Sequence, residues 1–457
     1  MKNRNPNPRK LAAEVVFEVA EAKAYADIAL DRAVRRRTLT AQDRAFLTEL
    51  VYGPIKYLRY LDYILSQFSQ RPIDKLDPKL RSYARIGLYQ IFLLDHIPDP
   101  VAVYETVEAA KGDLHKGAIG YLNGLLRSAS RQKENITWPA GNEYLGTIHS
   151  HPQWLVERWI ALWGREAAEA LCKANNAIPP LTLRVNTLKT TRESLLTRLE
   201  SLGIKAAPAT LSPVGIKLLQ GTSIPELTPL AEGHCQVQDI GSMLVSELLA
   251  PERGDFVLDA CSAPGGKTTH LAQLMEDEGT IVAADVNPSR LRMVEENAER
   301  LGITCIQTQV QDAAFLHERD QWLEAFDKVL VDAPCTGTGV LRRRADSRWR
   351  KSESDLVELP RLQKAILASS ALTVKPGGVL VYSTCSIDPA ENQEVVEWFL
   401  SQNPGWEVED FRSFLKLPAD YGTYLAGSVN TRPEFLFLYS HREKTDGFFA
   451  ARLRKRG

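Results

Sequence analysis

Cysteine is scarce: six in 457 residues, widely scattered and without a Cys-x-x-Cys pair. That spacing makes neither a disulfide framework nor a zinc site, so no metal centre is expected and a reducing compartment fits. No apolar run reaches the roughly 18 residues of a membrane span, and the opening Met-Lys-Asn-Arg-Asn-Pro-Asn-Pro has no hydrophobic stretch after its charges. A cytoplasmic protein with no membrane partner is therefore expected. Charge of one sign is also missing. Lys and Arg number 56 against 57 Asp and Glu, a formal net charge of -1, which argues neither for nor against a polyanionic partner. The distribution is uneven, because Met1–Ala140 holds 22 basic and 16 acidic residues; affinity for nucleic acid is expected toward the front. Repeats and low-complexity tracts are absent, while 44% hydrophobic and 25% charged residues is the composition of a folded chain. The length suits about three domains.

Three stretches with different textures divide the chain. Residues 1–140 carry apolar residues at helical spacing, as in Leu11, Val15, Val16 and Val19 and again in Leu47, Leu50 and Val51, so five to seven helices in an all-α bundle are expected. Gly53-Pro54 and Pro98 to Pro100 punctuate them. Residues 141–235 read as a small mixed α/β module and linker: two helical pieces, a strand over Leu181 to Asn186, a helix over Thr190 to Leu202 and short strands around Val214 to Leu219. Residues 236–457 alternate short apolar runs with amphipathic segments. The runs begin at Phe256, Ile281, Cys305, Lys328 and Val379, and such alternation implies a parallel, doubly wound α/β sheet. Phe435 to Tyr439 and Phe448 to Leu453 read as a closing antiparallel hairpin.

The first functional signal follows the first of those runs, where Asp259-Ala260-Cys261-Ser262-Ala263-Pro264-Gly265-Gly266-Lys267-Thr268 leads into a helix. Glycines between strand and helix let backbone approach a ligand, and the helix N-terminus adds a positive field. Two ligands compete. Cys261 to Thr268 is a near miss for a GxxxxGK[ST] phosphate loop, and Lys328 to Asp332 resembles an apolar strand ending in a magnesium-linked Asp, so an NTPase is one reading. Against it, Cys261 stands where that motif has its first glycine. Asp285 ends the next strand, where a carboxylate reaches a ribose diol, and Asp312 ends the third, suited to an adenine amine. Acids at strand ends without a phosphate nest point to an adenosine ligand, and S-adenosylmethionine (SAM) has the diol, the amine and an amino-acid tail for the glycine loop.

Two cysteines frame the chemistry. The fourth strand runs into Asp332-Ala333-Pro334-Cys335-Thr336-Gly337 and the fifth into Tyr382-Ser383-Thr384-Cys385-Ser386. Neighbouring parallel strands lie about 4.8 Å apart and open on one crevice, so both thiols are expected to face it. Asp388-Pro389-Ala390-Glu391 has the spacing of a capped helix start with a capping-box Glu, and a thiol ahead of a helix N-terminus is favoured as thiolate. The chemistry that needs a thiolate is methylation at C5 of a pyrimidine, because C5 is a poor nucleophile until something adds at C6. Strand geometry alone does not choose between the two thiols.

Asp-Ala-Cys-Ser-Ala-Pro-Gly-Gly-Lys, Asp-Ala-Pro-Cys-Thr-Gly-Thr-Gly and Ser-Thr-Cys-Ser with Glu391-Asn392 resemble the RsmB/NOP/Sun family of RNA cytosine-5 methyltransferases, and Leu-Val-Tyr-Gly followed by Leu-Asp-Tyr-Ile-Leu resembles a NusB-type RNA-binding domain. The resemblance spans nearly the whole chain. It implies a NusB-like all-α bundle, a small RNA-binding module and a Rossmann-like SAM-dependent methyltransferase acting on a cytosine of 16S ribosomal RNA or a small-subunit assembly intermediate, as a monomer. It further implies that Cys385 is the nucleophile and that Cys335 helps resolve the adduct, with Asp332 and Lys267 completing the catalytic set; Asp332 is expected to face N3 of the base. The SAM site is then Cys261, Ser262, Ala263, Pro264, Gly265, Gly266 and Lys267 with Asp285, Asp312 and Asp332. Ser262 stands where the family commonly has Ala. A related enzyme acting on transfer RNA is the close alternative. A NusB-type factor with a dead enzyme domain is disfavoured, since both thiols and the carboxylates are present.

For RNA contact, Arg342, Arg343, Arg344, Arg348, Arg350 and Lys351 surround Trp349 just beyond Cys335, against the single acid Asp346. Phosphate contacts are expected there, with Trp349 packing or stacking on a base. Arg184 and Asn186 on the strand after Pro180 are further candidates, and Arg35-Arg36-Arg37 either bind RNA or form an exposed helix end.

Overall fold

Helical periodicity at the front becomes seven α-helices, Pro8–Ala20, Ala26–Arg35, Ala41–Lys56, Leu58–Phe68, Pro78–Leu93, Asp99–Ala110 and Lys116–Arg131, in a computed structural model that describes residues 7–219, 227–417, 432–443 and 445–457. Side-chain caps start several of them: Asn7 accepts from the Arg9 amide, Thr40 from Asp43, and Asp77 from Lys79 and Leu80, each satisfying an amide the helix leaves open. Leu11, Val15, Val16, Leu47, Leu50 and Val51 share one buried core. Gly53-Pro54 does not break its helix but lies in the last turns of Ala41–Lys56. Gly53 is there for space, because a Cβ would fall 2.1 Å from Cζ of Tyr89.

By compactness this unit runs to Asn176, and it includes Arg343–Lys351. Helices Gly141–Ile148, Gln153–Trp163 and Arg165–Asn176 belong to it. The connection before them is pinned by Trp138, whose ring stacks on Tyr60 and Tyr63 at 5.4 and 5.6 Å.

The second unit is Ala177–Arg342 with Ser352–Gly457. Its small sheet has strands β1 (Thr182–Val185), β2 (Ala206–Pro208), β3 (Gly215–Leu218) and β4 (Cys235–Val237) in the order β2-β3-β1-β4, all antiparallel. Helix Arg192–Ser201 buries Leu195 and Leu199 in the same small core as Leu183, Val185 and Ile216.

The larger sheet contains β5 (Phe256–Asp259), β6 (Thr280–Asp285), β7 (Ile306–Val310), β8 (Phe326–Asp332), β9 (Val374–Thr384), β10 (Trp406–Glu409), β11 (Leu436–Leu438) and β12 (Phe448–Lys455). Its order is β10-β12-β9-β8-β5-β6-β7, with β11 paired to β12. Strands β5 to β9 are parallel to their neighbours, while β12 runs antiparallel to β9, β10 and β11, giving the expected Rossmann-like sheet with its closing hairpin. Val257, Leu258, Ile281, Val329, Leu330 and Val381 are buried, as strands covered on both faces require. Strand order reverses between β5 and β8, so a crevice opens at the carboxyl ends of these two strands.

Candidate active site

Asp259 ends β5, and the chain turns through Cys261 and Ser262 to Gly265, whose φ of 96° a side chain would strain. A Cβ on Gly265 would also approach Val294 Cα to 3.0 Å. Helix Gly266–Leu274 starts there. Three of the loop's polar groups bond within the protein: Ser262 N donates to Ala284 O at 2.9 Å, Gly265 N to Ser262 O at 2.8 Å, and Thr268 Oγ1 to Asp259 Oδ2 at 2.7 Å. The hydroxyl that a phosphate loop would turn toward magnesium thus faces a buried carboxylate, and the phosphate-loop reading fails on geometry as well as on Cys261. Burial pushes the Asp259 carboxyl up to about 7, and its Oδ1 is buried without a hydrogen-bond partner.

Acids ring this crevice. Asp285 at the end of β6 is buried and accepts from Asn287 N at 2.9 Å, with Arg290 at 3.5 Å. Asp312 follows β7, is exposed, and caps a short turn through Ala314 N. Asp332 ends β8, where Lys267 Nζ donates to its Oδ2 at 2.7 Å and Ser383 Oγ to its Oδ1 at 2.9 Å. Burial first, then the carboxylates of Asp259, Asp332, Asp285 and Asp312, push the Cys261 thiol well above its usual range. One side chain senses all four acids. Such a field repels a polyphosphate and suits a phosphate-free ligand carrying positive charge, hydroxyls and an amine.

The two thiols meet at the ends of adjacent strands. Asp332 pairs with Ser383 in the β8–β9 ladder, and beyond it Cys335 Sγ lies 3.4 Å from Cys385 Sγ. The hydrogen bond with Cys385 and then burial push the Cys335 thiol well up. Burial lowers the Lys267 ammonium, but Asp332 and then Cys385 raise it further, for a net upward shift. The fields of Lys267 and the Cys385 sulfur thus reach one another. Its Nζ also stands 5.2 Å over the Phe448 ring.

The turn after Cys385 differs from the expected capped helix. Asp388 does cap it, accepting from Ala390 N at 3.0 Å, but Pro389–Glu391 is a three-residue 3-10 turn. The turn is too short to supply much dipole of its own, and the α-helix that follows it, Gln393–Gln402, begins eight residues beyond Cys385. Glu391 does not reach back as a capping box. It is buried, accepts from Thr336 N at 2.7 Å and from Gln363 Nε2 at 3.1 Å, and also takes the Thr336 hydroxyl. Asn392 accepts from Thr384 Oγ1 at 2.5 Å and donates to Ser386 O at 3.0 Å, holding the strand end on both sides of Cys385. Asp259, Ser383 and the Glu391 clamp went unrecognised in the sequence; only the Glu391-Asn392 pair hinted at the last.

Four of the expected RNA contacts, Arg184, Asn186, Arg342 and Arg348, are turned inward. Arg184 on β1 is fully buried, and it donates to Gln273 Oε1 and Thr269 Oγ1 at 2.9 Å each and to Gln238 and Gly266 O. Burial pulls its pKa to about 9. Asn186 donates to Gly233 O at 2.8 Å and Leu301 O at 2.9 Å, fully buried. Arg342 pairs with Asp446 at 2.5 Å, both buried. Arg348, in the helical unit, donates to Ser150 O and Asn176 Oδ1 at 3.0 and 2.9 Å. None of these can reach a phosphate. Trp349 packs rather than stacks on a base, donating to Ile55 O at 2.7 Å. Arg343 is half-buried and Arg344 exposed.

Comparison with known proteins agrees with this construction. Residues 246–454 match the family of 16S rRNA methyltransferase RsmB/F, residues 151–225 its ferredoxin-like domain, and residues 6–131 the NusB family. The probable ribosomal RNA small subunit methyltransferase B of Bacillus subtilis is 38% identical over 453 residues, covering 98% of this chain and 99% of that protein. The ribosomal RNA small subunit methyltransferase B of Serratia proteamaculans is 34% identical over the full length of both. Among solved structures, PH0851 superposes with a TM-score of 0.83 at 28% identity, covering 99% of this chain and 100% of that one. NSun6 from Pyrococcus horikoshii with SFG gives 0.60 at 25% identity over 68% of this chain and 100% of that one. Similarity in all three parts, sustained over nearly the full length of the curated relatives, makes this chain a member of the ribosomal RNA small subunit methyltransferase B family, an RNA methyltransferase family.

Proposed function

We propose that the protein uses SAM to methylate C5 of a cytosine in 16S ribosomal RNA through a covalent bond between Cys385 and C6 of the base. The observation that carries the reading is the 3.4 Å approach of Cys335 and Cys385 beside the Lys267–Asp332 pair. SAM fits the acid-lined crevice, and its relative NSun6 was solved with SFG. Asp285 would hold the ribose, Asp312 the adenine amine, and the loop Cys261 to Lys267, with Asp259 at its base, the amino-acid tail. SAM supplies an electrophilic methyl group.

The remaining chemistry belongs to the chain. The Cys385 thiolate adds to C6 while a proton passes from Lys267 through Asp332 to N3, neutralising the charge that develops on the ring. C5, now nucleophilic, takes the methyl group. The Cys335 sulfur, as thiolate, takes the C5 proton; the C–H electron pair restores the C5–C6 double bond and expels the Cys385 sulfur as thiolate, and the N3 proton returns through Asp332 to Lys267. The target base must be unpaired or flipped to reach the pocket. Arg343 and Arg344 are the remaining candidates for phosphate contact. No helix among the described residues is long and apolar enough to cross a membrane, and action as a cytoplasmic monomer is part of the proposal.

Substitution separates the thiols. Cys385→Ala should be inactive and leave RNA free on a denaturing gel. Cys335→Ala, given SAM and substrate RNA, should show a slow protein–RNA band that protease removes. The reverse pattern would exchange the roles, and methylation by both variants with no band would refute the covalent route. Bisulfite mapping of ribosomal and transfer RNA with and without the gene decides the substrate; a site lost from transfer RNA alone would overturn 16S ribosomal RNA.

A further inference from the structure

The Cys335 loop is gripped from both sides by groups that lie outside the reacting set. Thr336, directly after Cys335, gives its amide to Glu391 Oε1 at 2.7 Å and its hydroxyl to the other oxygen of the same carboxylate. Pro334, directly before it, gives its carbonyl to Gln363 Nε2 at 2.9 Å, and that amide also donates to Glu391 Oε1 at 3.1 Å. Glu391 and Gln363 are both fully buried. The Glu391 backbone is fixed in turn, its carbonyl accepting from Tyr382 Oη at 2.7 Å. Tyr382 is itself a β9 residue paired with Val331 of β8. The grip is thus anchored to the two strands whose ends carry the thiols.

A buried carboxylate is costly unless paired or well supplied with donors, and among the described residues no Lys, Arg or His bonds to Glu391. Its donors include Thr336, in the loop that presents Cys335, and Gln363, which holds the same loop at Pro334. An apolar side chain would fill the same space at lower cost if packing were all the site required.

We propose that Glu391 is the positioning residue of the Cys335 loop: by clamping Thr336, with Gln363 holding Pro334, it fixes the Cys335 sulfur against Cys385 for the collapse of the covalent adduct. The role rests on the covalent reading above. Burial raises the Glu391 carboxyl, while hydrogen bonds from Ser386, Thr336 and Gln363 hold it down. Its charge is one of the influences that keep the proton on Cys335. Glu391 holds the Cys335 loop directly, whereas the strand end on both sides of Cys385 is held by Asn392.

The experiment follows the lifetime of the protein–RNA band in single turnover with full-length protein, SAM and a 16S RNA fragment. Glu391→Gln keeps the shape but loses the charge and one acceptor. It should form the band at the wild-type rate and bind SAM normally, yet lose the band about tenfold to a hundredfold more slowly, the rate equivalent of one charge-assisted hydrogen bond. In a Cys335→Ala background the same substitution should change nothing further, a non-additivity that a general structural role would not produce. Band loss at the wild-type rate in Glu391→Gln, or equal slowing in both backgrounds, would overturn the role. Should that variant fold poorly, Thr336→Val removes one donor from the same carboxylate and should slow band loss in the same direction; wild-type loss there would also overturn it. If Cys335→Ala alone leaves no lasting band, the covalent reading falls, and the clamp's role with it.

Discussion

Gly339→Ala is the sharpest test of how the nucleophile is held. Gly339 N donates to Cys385 O at 2.9 Å, and Gly339 O accepts from Gly447 N at 2.8 Å. The backbone just before β12 thus sits directly on the loop that fixes Cys385. A Cβ on Gly339 would lie 2.2 Å from Gly447 O and 2.8 Å from Cys385 O, whereas carbon–oxygen contact begins near 3.3 Å. The neighbouring backbone must therefore retreat by about 1 Å, and no flexible side chain is available to absorb it. Overpacking of this kind costs about 1–3 kcal/mol of stability, and a misplacement of about 1 Å in a reacting group costs about a hundredfold in rate. The crevice formed by Asp259, Asp285 and Gly265 stands on β5 and β6, away from this contact. Gly339→Ala should accordingly bind SAM by calorimetry as the wild type does, form the protein–RNA adduct about a hundredfold more slowly in single turnover, and melt at a lower temperature. Adduct formation at the wild-type rate would refute the argument that the Gly447–Gly339–Cys385 chain of hydrogen bonds sets the nucleophile's position.

Asp285→Ala should weaken SAM binding by about 1.5–3 kcal/mol, the range of a charge-assisted hydrogen bond, with RNA affinity unchanged; an unaltered SAM dissociation constant would remove Asp285 from the ribose. Arg344→Gln should lower the salt slope of RNA binding by about 0.7 and leave SAM affinity alone, whereas an unchanged slope would make Arg344 a solvated surface charge. Asp259→Asn tests the buried acid under the loop. Because its pKa rises from 3.8 to about 7 on folding, the folded protein keeps a proton that the unfolded chain has released. The wild type is then most favoured relative to Asp259→Asn below pH 3.8 and loses that advantage as pH climbs to about 7, by about 4 kcal/mol in full. Denaturant unfolding of both proteins between about pH 5 and pH 8 measures the difference, and a gap independent of pH would contradict the assignment.

What the sequence disclosed was local, and what it hid was decided at a distance. Alternating apolar runs and helices define the parallel sheet, and the acids at the ends of β6, β7 and β8 are read from the residues that close each run. The meeting of Cys335 and Cys385 follows once β8 and β9 are neighbours. A guanidinium offers no such local clue. Arg184 finds its acceptor 89 positions away at Gln273 and Arg342 finds Asp446 104 positions away, so four arginines in a short run near a crevice looked the same whether they faced phosphate or core. Glu391 shows which influence prevails when local and distant partners compete. Its spacing from Asp388 fits a capping box, but the Asp388 amide that such a box would satisfy already donates to Ser386 Oγ at 3.1 Å. The Thr336 amide is buried and donates to Glu391, while the Thr336 hydroxyl lies within reach of both Glu391 and Ser386 Oγ. The carboxylate turns to the donor that would otherwise go unpaired, and a motif legible as a helix start becomes a brace for the active-site loop.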